Sequence, residues 1–262
     1  MTSPLAVALV QEASGLDPAE NRRRAADLVD GAGVTADLVV LPEVFARDFG
    51  KAGSDVAPFA EPLDGPFVTT LVEAAGRAGA TVVAGMFETS EDPERPYNTL
   101  VVVDGDGLRA SYRKIHLYDS FGYRESDRLS AGATTPVTVE VGGFRLGLAT
   151  CYDLRFPELS RSLVVDHGAD ALVVPAAWVA GEGKAEHWRT LTSARAIENT
   201  AYVLAVGQPA PRYTGFTRLV DPLGGLVAEA GGDGAEVVVG ELRRDLLDEA
   251  RRTNPSLANR RL

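Results

Sequence analysis

The sequence predicts an α/β fold of layered α+β character, in which mixed β-sheets carry helices on their outer faces. Short apolar runs rich in Val, Ala and Leu alternate with stretches whose apolar residues recur at helical spacing, and turn residues separate the two. Three glycine-rich turns, at residues 104–107, 142–143 and 224–225, each join two apolar runs as in a β-hairpin. Hairpins give antiparallel pairs and crossover helices give parallel ones, so the sheets are predicted to be mixed.

The individual elements follow from the same two periodicities. Runs with the length and composition of β-strands lie at residues 5–11, 37–41, 81–88, 98–103, 108–117, 136–141, 144–150, 171–174, 201–206, 217–221, 226–230 and 236–241. Stretches that combine helix-forming residues with an apolar stripe lie at residues 18–32, 67–78, 157–167, 184–199 and 243–252. Pro18 and Pro157 stand in the first turn of their helices, where proline is tolerated.

One short pattern occurs twice. Residues 37–42 and 170–175 both begin with Asp, continue with apolar residues and end in Pro. The repetition predicts two related α-β-β halves that pack sheet against sheet with the helices outside.

The composition limits the class of protein. A chain of 262 residues with 45% apolar residues can form one large domain, which we expect to span residues 1–262. Its formal net charge of −11 makes a nucleic acid or an anionic membrane an unsuitable partner. The apolar run near the N-terminus is too short for a membrane or signal segment. A single cysteine cannot form an intrachain disulfide, so we expect a cytoplasmic protein.

That cysteine, Cys151, is the first candidate for chemistry. It directly follows the predicted strand 144–150 and precedes Pro157, where a helix can begin. A strand-to-helix turn projects a side chain from the sheet edge and directs the next backbone N–H groups at the atom that it attacks. The alternative is a small, buried, unreactive cysteine.

Glu43 and Lys114 both lie near the ends of predicted strands. Each could be an ordinary solvated residue, or an edge-strand charge in the case of the lysine. Together with Cys151 they form a chemically sensible set. A thiol must lose its proton before it attacks, a carboxylate can accept that proton, and a cation stabilises both the thiolate and the later oxyanion.

The segments around these residues resemble the signature segments of the nitrilase superfamily. They lie at residues 41–43, 112–117 and 151–159, in the family's order, and residues 184–199 resemble its subunit-packing and core helices. The similarity therefore covers nearly the whole chain and implies the α-β-β-α sandwich.

The resemblance also assigns roles to the residues. It implies Glu43 as general base, Lys114 as oxyanion stabiliser and Cys151 as nucleophile. Glu125 matches the family's additional glutamate, which contacts the lysine or positions the substrate, although its segment is shorter here than in many relatives. No metal or organic cofactor is implied.

The cysteine segment is most similar to the omega-amidase and deaminated-glutathione-amidase branch. This similarity implies hydrolysis of a small carboxamide, often one that also bears a carboxylate. Nitrilases proper usually have Trp and then Glu after the cysteine, whereas this chain has Tyr152 and Asp153, which argues against a nitrile substrate. The alternatives are an N-carbamoyl-amide hydrolase or a nitrilase with the same triad, and a non-catalytic binding protein that retains the fold.

Three further residues are candidates for substrate binding. The backbone N–H of Tyr152 follows the nucleophile and is expected to help bind the oxyanion. Arg155 could pair with a substrate carboxylate or with the nearby Asp153 or Glu158. Trp178 follows the second strand-proline pattern and could line a pocket or fill the core.

The remaining expectations concern metals, an alternative base and partners. His116, His167 and His187 are scattered, which argues against a metal site. His116 is an alternative base, because it lies two positions after Lys114 and the two would share a strand face. We expect a small-molecule amide substrate, no nucleic-acid or membrane partner, and a homodimer at least, since the helix at residues 184–199 resembles the family's packing helix.

Overall fold

The computed structural model describes residues 3–261. Its β-strands are β1 (Leu5–Gln11), β2 (Leu38–Val40), β3 (Thr81–Glu88), β4 (Tyr97–Asp104), β5 (Gly107–Arg113), β6 (Asp119–Ser120), β7 (Tyr123–Arg124), β8 (Thr138–Val141), β9 (Phe144–Leu148), β10 (Ala171–Ala176), β11 (Tyr202–Gly207), β12 (Arg218–Val220), β13 (Leu226–Glu229) and β14 (Glu236–Leu242). Its α-helices are α1 (Pro18–Ala32), α2 (Pro66–Ala78), α3 (Pro157–Val165), α4 (Lys184–Asn199) and α5 (Arg244–Thr253).

The long strands form two mixed sheets. The first has the order β14-β1-β2-β3-β4-β5 and the second the order β13-β12-β11-β10-β9-β8. In both, three parallel strands are flanked by antiparallel ones, as the hairpins and crossovers predict. The three glycine-rich turns join β4 to β5, β8 to β9 and β12 to β13.

The predicted internal repetition is confirmed by this topology. β2 and β10, which carry the repeated pattern, are each the middle strand of a parallel trio. Helices α1 and α2 connect the first trio, and α3 and α4 connect the second. The two strand-proline corners therefore lie at equivalent places in the two halves.

The core has the layers expected of an α-β-β-α sandwich. One cluster of buried side chains joins the facing surfaces of the two sheets and includes Leu9, Leu100 and Val173. A second cluster lies between the first sheet and its helices, with Val29 of α1 and Leu71 of α2. The predicted fold class is thus confirmed. No helix within residues 3–261 is long and apolar enough to cross a membrane.

Several predicted bounds differ from the structure, and the strand predicted at residues 108–117 is the most informative. β5 ends at Arg113. The backbone N–H of Lys114 still donates to the carbonyl of Asn98 in the register of the ladder, but the N–H of His116 donates to the Asp153 carboxylate instead of to β4. The hairpin of β6 and β7 was not predicted. Neither was the 3-10 turn Cys151–Arg155, which separates β9 from α3.

Candidate active site

Glu43 lies on a corner that follows β2. The next residue, Val44, has a φ of 49°, so the backbone turns sharply there. The corner rests directly on β3, where a Cβ atom added to Gly85 would lie 2.2 Å from the backbone nitrogen of Val44 and 2.8 Å from the Cα of Glu43. Glycine at position 85 therefore permits the close approach that places Glu43 over the sheet edge.

The Glu43 carboxylate is almost fully buried and is held by three donors. Its Oε1 accepts hydrogen bonds from Asn98 Nδ2 at 2.7 Å and Lys114 Nζ at 3.0 Å. Its Oε2 accepts one from the backbone N–H of Ala177 at 2.6 Å. The carboxylate is thus fixed from both sheets, since Asn98 belongs to β4 and Ala177 directly follows β10.

Lys114 lies between two carboxylates. Its Nζ is 3.0 Å from Glu43 Oε1 and 3.0 Å from Glu125 Oε2, and all three side chains are buried. The backbone N–H of Tyr118 also donates to Glu125 Oε2, at 2.6 Å. Burial opposes the charge on Lys114, but the Glu125 and Glu43 carboxylates outweigh it and raise the lysine pKa well above its ordinary value. Lys114 therefore remains an ammonium ion.

Cys151 opens the 3-10 turn after β9 in a left-handed backbone conformation, with a φ of 46°. Such a conformation costs a non-glycine residue about 1–3 kcal/mol and persists only where neighbours enforce it. Asp153 supplies that support. Its carboxylate accepts hydrogen bonds from the backbone N–H of Thr150 at 2.9 Å and from the hydroxyl of Tyr112 at 2.6 Å. The predicted strand-to-helix turn is present, with the extra 3-10 turn inserted.

The electrostatics of the site keep Cys151 protonated at rest. Burial first, and then the Glu43 carboxylate, raise the pKa of the thiol well above its ordinary value, although the Lys114 ammonium acts in the opposite direction. A thiol in this state requires a base at the moment of attack.

A cavity of about 350 Å³ opens onto these groups. Its lining includes all seven residues singled out in the sequence: Glu43, Lys114, Glu125, Cys151, Tyr152, Arg155 and Trp178. Loops at residues 120–134 and 179–183 contribute to it. Other lining residues were not predicted, among them Phe49, Lys184, Arg212 and Tyr213.

Arg155 takes neither of the structural partners considered for it. The Asp153 carboxylate is already occupied, and Arg155 forms no ion pair within residues 3–261. Its guanidinium lies 4.8 Å from the centre of the Trp178 ring, its Nη2 is 3.3 Å from His187 Nδ1, and its Nε is buried without a hydrogen-bond partner. The expected alternative of an ion pair with Asp153 or Glu158 is wrong.

Trp178 both lines the cavity and packs in the core, so the two readings of this residue are compatible. Its indole Nε1 donates to the backbone carbonyl of Lys184 at 3.0 Å, and its ring lies 5.4 Å from that of Trp188. These contacts fix the ring against which Arg155 rests.

Two other cations line the cavity, and their surroundings differ. Arg212 is neutralised by Asp48, at 2.5 Å. Lys184 has no carboxylate partner in the described part of the chain. Its Nζ donates to the Tyr118 hydroxyl at 3.1 Å and lies 3.5 Å above the ring of Phe121, while burial and then Arg155 lower its pKa. Lys184 and Arg155 are therefore neighbouring cations without a carboxylate partner among residues 3–261.

His116 is not part of this arrangement. Its Nδ1 is 2.7 Å from Asp153 Oδ1, its ring stacks on Phe156 at 3.7 Å, and it does not line the cavity. The expectation that His116 shares a strand face with Lys114 is wrong, because β5 ends before both residues. No group of three or more His, Cys, Asp or Glu residues that could hold a metal ion occurs in the stretch from residue 3 to residue 261.

Sequence reasoning missed Asn98, Ala177, Lys184 and Arg212 as site residues. Only Asn98 carried a usable signal, since it is a polar residue at the start of the apolar run 98–103 and a buried amide needs partners. The other three lie in or beside loops without a readable motif.

Comparisons with known proteins agree with this geometry. Residues 6–252 match the family model described as carbon-nitrogen hydrolase. A deaminated glutathione amidase from Escherichia coli O157:H7 is 39% identical over 225 residues, which cover 86% of this chain and 84% of that protein.

Solved structures agree as well. A CN-hydrolase superfamily protein from Xanthomonas campestris superposes with a TM-score of 0.89 at 31% identity, covering 99% of this chain and 98% of that one. Saccharomyces cerevisiae Nit3, a member of branch 10 of the nitrilase superfamily, gives a TM-score of 0.85 at 30% identity, covering 99% and 97%.

Proposed function

This chain belongs to the carbon-nitrogen hydrolase family and acts on amides, and we propose that it does so through a thioester formed on Cys151. One observation carries the proposal: a buried thiol on a strained turn faces a cavity beside a carboxylate and an ammonium ion that are hydrogen-bonded to each other. These are the base, the electrophilic cation and the nucleophile that acyl transfer requires.

In the acylation half, Glu43 accepts the thiol proton while Cys151 Sγ forms a bond to the amide carbonyl carbon. The carbonyl electron pair moves onto oxygen, and Lys114 with the Tyr152 backbone N–H stabilises that oxyanion. When the carbonyl re-forms, the C–N bond breaks, the nitrogen takes the proton back from Glu43, and ammonia leaves. An acyl thioester remains on Cys151.

In the deacylation half, Glu43 takes a proton from water as the water oxygen attacks the thioester carbon. Collapse of the second tetrahedral intermediate breaks the C–S bond, and the thiolate recovers the proton from Glu43. The product is a carboxylic acid, and the enzyme returns to its starting state. One carboxylate serves both halves, while Glu125 holds Lys114 from its other side.

The substrate proposed for this site is a small carboxamide that carries a carboxylate remote from the scissile amide. The support is the pair of cations, Arg155 and Lys184, which line the cavity next to the nucleophile and have no carboxylate partner in the part of the chain that the structure describes. A cation removed from water without a counter-ion is costly, so a substrate carboxylate would supply the missing partner.

Arg155→Lys tests this substrate class. We expect KM to rise by about 10-fold for a carboxylate-bearing amide, the scale of one lost hydrogen bond to a charged group, and to change little for its methyl ester, because lysine cannot form the bidentate pair. Steady-state kinetics on the matched acid and ester measure the difference. Arg212→Lys is the control, since that arginine lines the same cavity but already pairs with Asp48. Equal effects of Arg155→Lys on acid and ester would contradict the proposal.

The reaction class has its own test. Incubation with small omega-amides, ureides and nitriles, followed by mass spectrometry, should yield ammonia and acid from the amides and a trapped acyl group on Cys151. Turnover of a ureide or nitrile in preference to every amide would move the assignment to an N-carbamoyl-amide hydrolase or a nitrilase. Absence of both product and adduct across all three classes would indicate a non-catalytic binding protein.

We also propose a cytoplasmic homodimer. A lone cysteine that must stay reduced is suited to the cytoplasm, and α4, whose Ile197 is about half exposed, resembles the family's packing helix. Light scattering coupled to size exclusion at micromolar concentration should give at least twice the mass of a single chain. A monomeric mass would contradict this proposal.

A further inference from the structure

Asn98 contacts three of the ionisable residues of the site, although nothing in the mechanism above uses it. It is fully buried on β4, where it pairs in register with Phe87 of β3. Its side-chain Nδ2 is 2.7 Å from Glu43 Oε1 and 3.3 Å from Glu125 Oε1. Its backbone carbonyl accepts a hydrogen bond from the backbone N–H of Lys114 at 2.8 Å, so Asn98 also fixes the backbone of Lys114.

The charge arrangement explains why such a residue is required. Two buried carboxylates face one ammonium ion, and Lys114 Nζ directs its three donors at Glu43 Oε1, Glu125 Oε1 and Glu125 Oε2, at 3.0, 3.2 and 3.0 Å. Lysine has no fourth donor to offer. The Asn98 amide is a further donor that both carboxylates share, and its bond to Glu43 is the shorter of its two.

The carbonyl oxygen of the same side-chain amide is not stabilised by this placement. Asn98 Oδ1 is buried and has no hydrogen-bond partner among residues 3–261. Leaving a buried polar atom unpaired is costly, so the position is not explained by stability alone. The donor end, which lies between the two carboxylates, is the part that the site uses.

We propose that Asn98 is a positioning residue for the general base: its amide holds Glu43 Oε1 in place beside Glu125, ready to accept the Cys151 proton. This inference rests on the proposed function of Glu43. The other titratable groups that face the two carboxylates are Lys114, Cys151, Tyr213 and Tyr123. Burial raises the pKa of both tyrosines, so they stay neutral across the working pH range.

Asn98→Leu removes the donor and keeps the branching and the number of side-chain heavy atoms. We expect kcat to fall by about 10- to 100-fold, the scale of one hydrogen bond to a charged group, with KM within about twofold because Asn98 does not line the cavity. A carboxylate that loses a donor protonates at higher pH, so the acid limb of the kcat/KM profile should move to higher pH. Asn98→Asp, which keeps the shape and adds a third carboxylate, should move that limb further in the same direction.

The control is Thr99→Val at the next position of β4, where the hydroxyl donates to Glu88 at 2.8 Å outside the site. It should keep the wild-type pH profile. An unchanged acid limb in both Asn98 variants would overturn the inference, as would a loss of kcat matched by Thr99→Val. Mass spectrometry of the wild-type protein incubated with substrate separates failure of this inference from failure of the proposed function. If Cys151 is acylated and the Asn98 variants behave as the wild type, only the role of Asn98 is refuted. If Cys151 of the wild type is never acylated, the thioester mechanism is refuted.

Discussion

Cys151→Ala should abolish amide turnover and leave the fold intact. The substitution removes one sulfur atom from the turn. The shape of the turn is held by the hydrogen bonds that Thr150 and Tyr112 donate to Asp153, and neither bond involves the sulfur. Loss of a nucleophile from an acyl-transfer site lowers kcat by at least about 10⁴-fold. Ammonia release measures the activity, and circular dichroism with thermal unfolding measures the fold.

The single cysteine makes this experiment unusually decisive. A covalent acyl group found in the wild type can have only one thiol as its origin, and it should disappear in the alanine variant. Activity above a trace in Cys151→Ala, measured on protein with a normal unfolding temperature, would refute the nucleophile assignment. A variant that fails to fold would instead contradict our account of how the turn is held.

The fold could be predicted because its signals are local. Strand and helix periodicities repeat over five or more residues, and the glycine-rich turns mark hairpins whatever surrounds them. The repeated pattern at residues 37–42 and 170–175 predicted two equivalent halves, which the sheet order then displayed. Element ends were less predictable, as at β5, because the hydrogen bond that the His116 N–H donates to the distant Asp153 carboxylate decides where the ladder stops.

The residues of the site could be predicted only where they stand in short motifs that indicate a chemical role. Glu43, Lys114, Cys151 and Glu125 stand in such motifs, and the structure brings all four together at one cavity. Asn98 reaches them through the register of β4 against β3, which no short stretch of sequence specifies. Lys184 and Arg212 enter the cavity through tertiary packing of loops and helix ends, so their positions could not be derived from local pattern.

Glu43→Gln should be nearly as inactive as the cysteine variant, and its effects on charge make it the sharper test. Three donors, from Asn98, Lys114 and Ala177, converge on this carboxylate, and a glutamine would turn its own N–H₂ group towards one of them. We therefore expect some loss of stability, about 1–3 kcal/mol for an unpaired buried group. We also expect a fall in acylation rate of about 10²–10⁴-fold for the lost base.

Electrostatics alone would predict the opposite change in activity. The Glu43 carboxylate raises the pKa of the Cys151 thiol, so its neutralisation should make the thiolate easier to form. If Glu43 acted only as a charge, Glu43→Gln would increase attack by the sulfur. A decrease, measured as the pre-steady-state rate of acyl-enzyme formation by mass spectrometry, is the result expected if Glu43 carries the proton.

Glu88→Gln provides the matched control for that measurement. Glu88 is also a buried glutamate, and it is ion-paired with Arg113 and hydrogen-bonded to Thr99, away from the cavity. It should lose stability on a similar scale while keeping a normal acylation rate. An acyl-enzyme that forms at near the wild-type rate in Glu43→Gln would move the base elsewhere. Glu125 would then be the first candidate, because it is the other carboxylate on Lys114 and lines the same cavity.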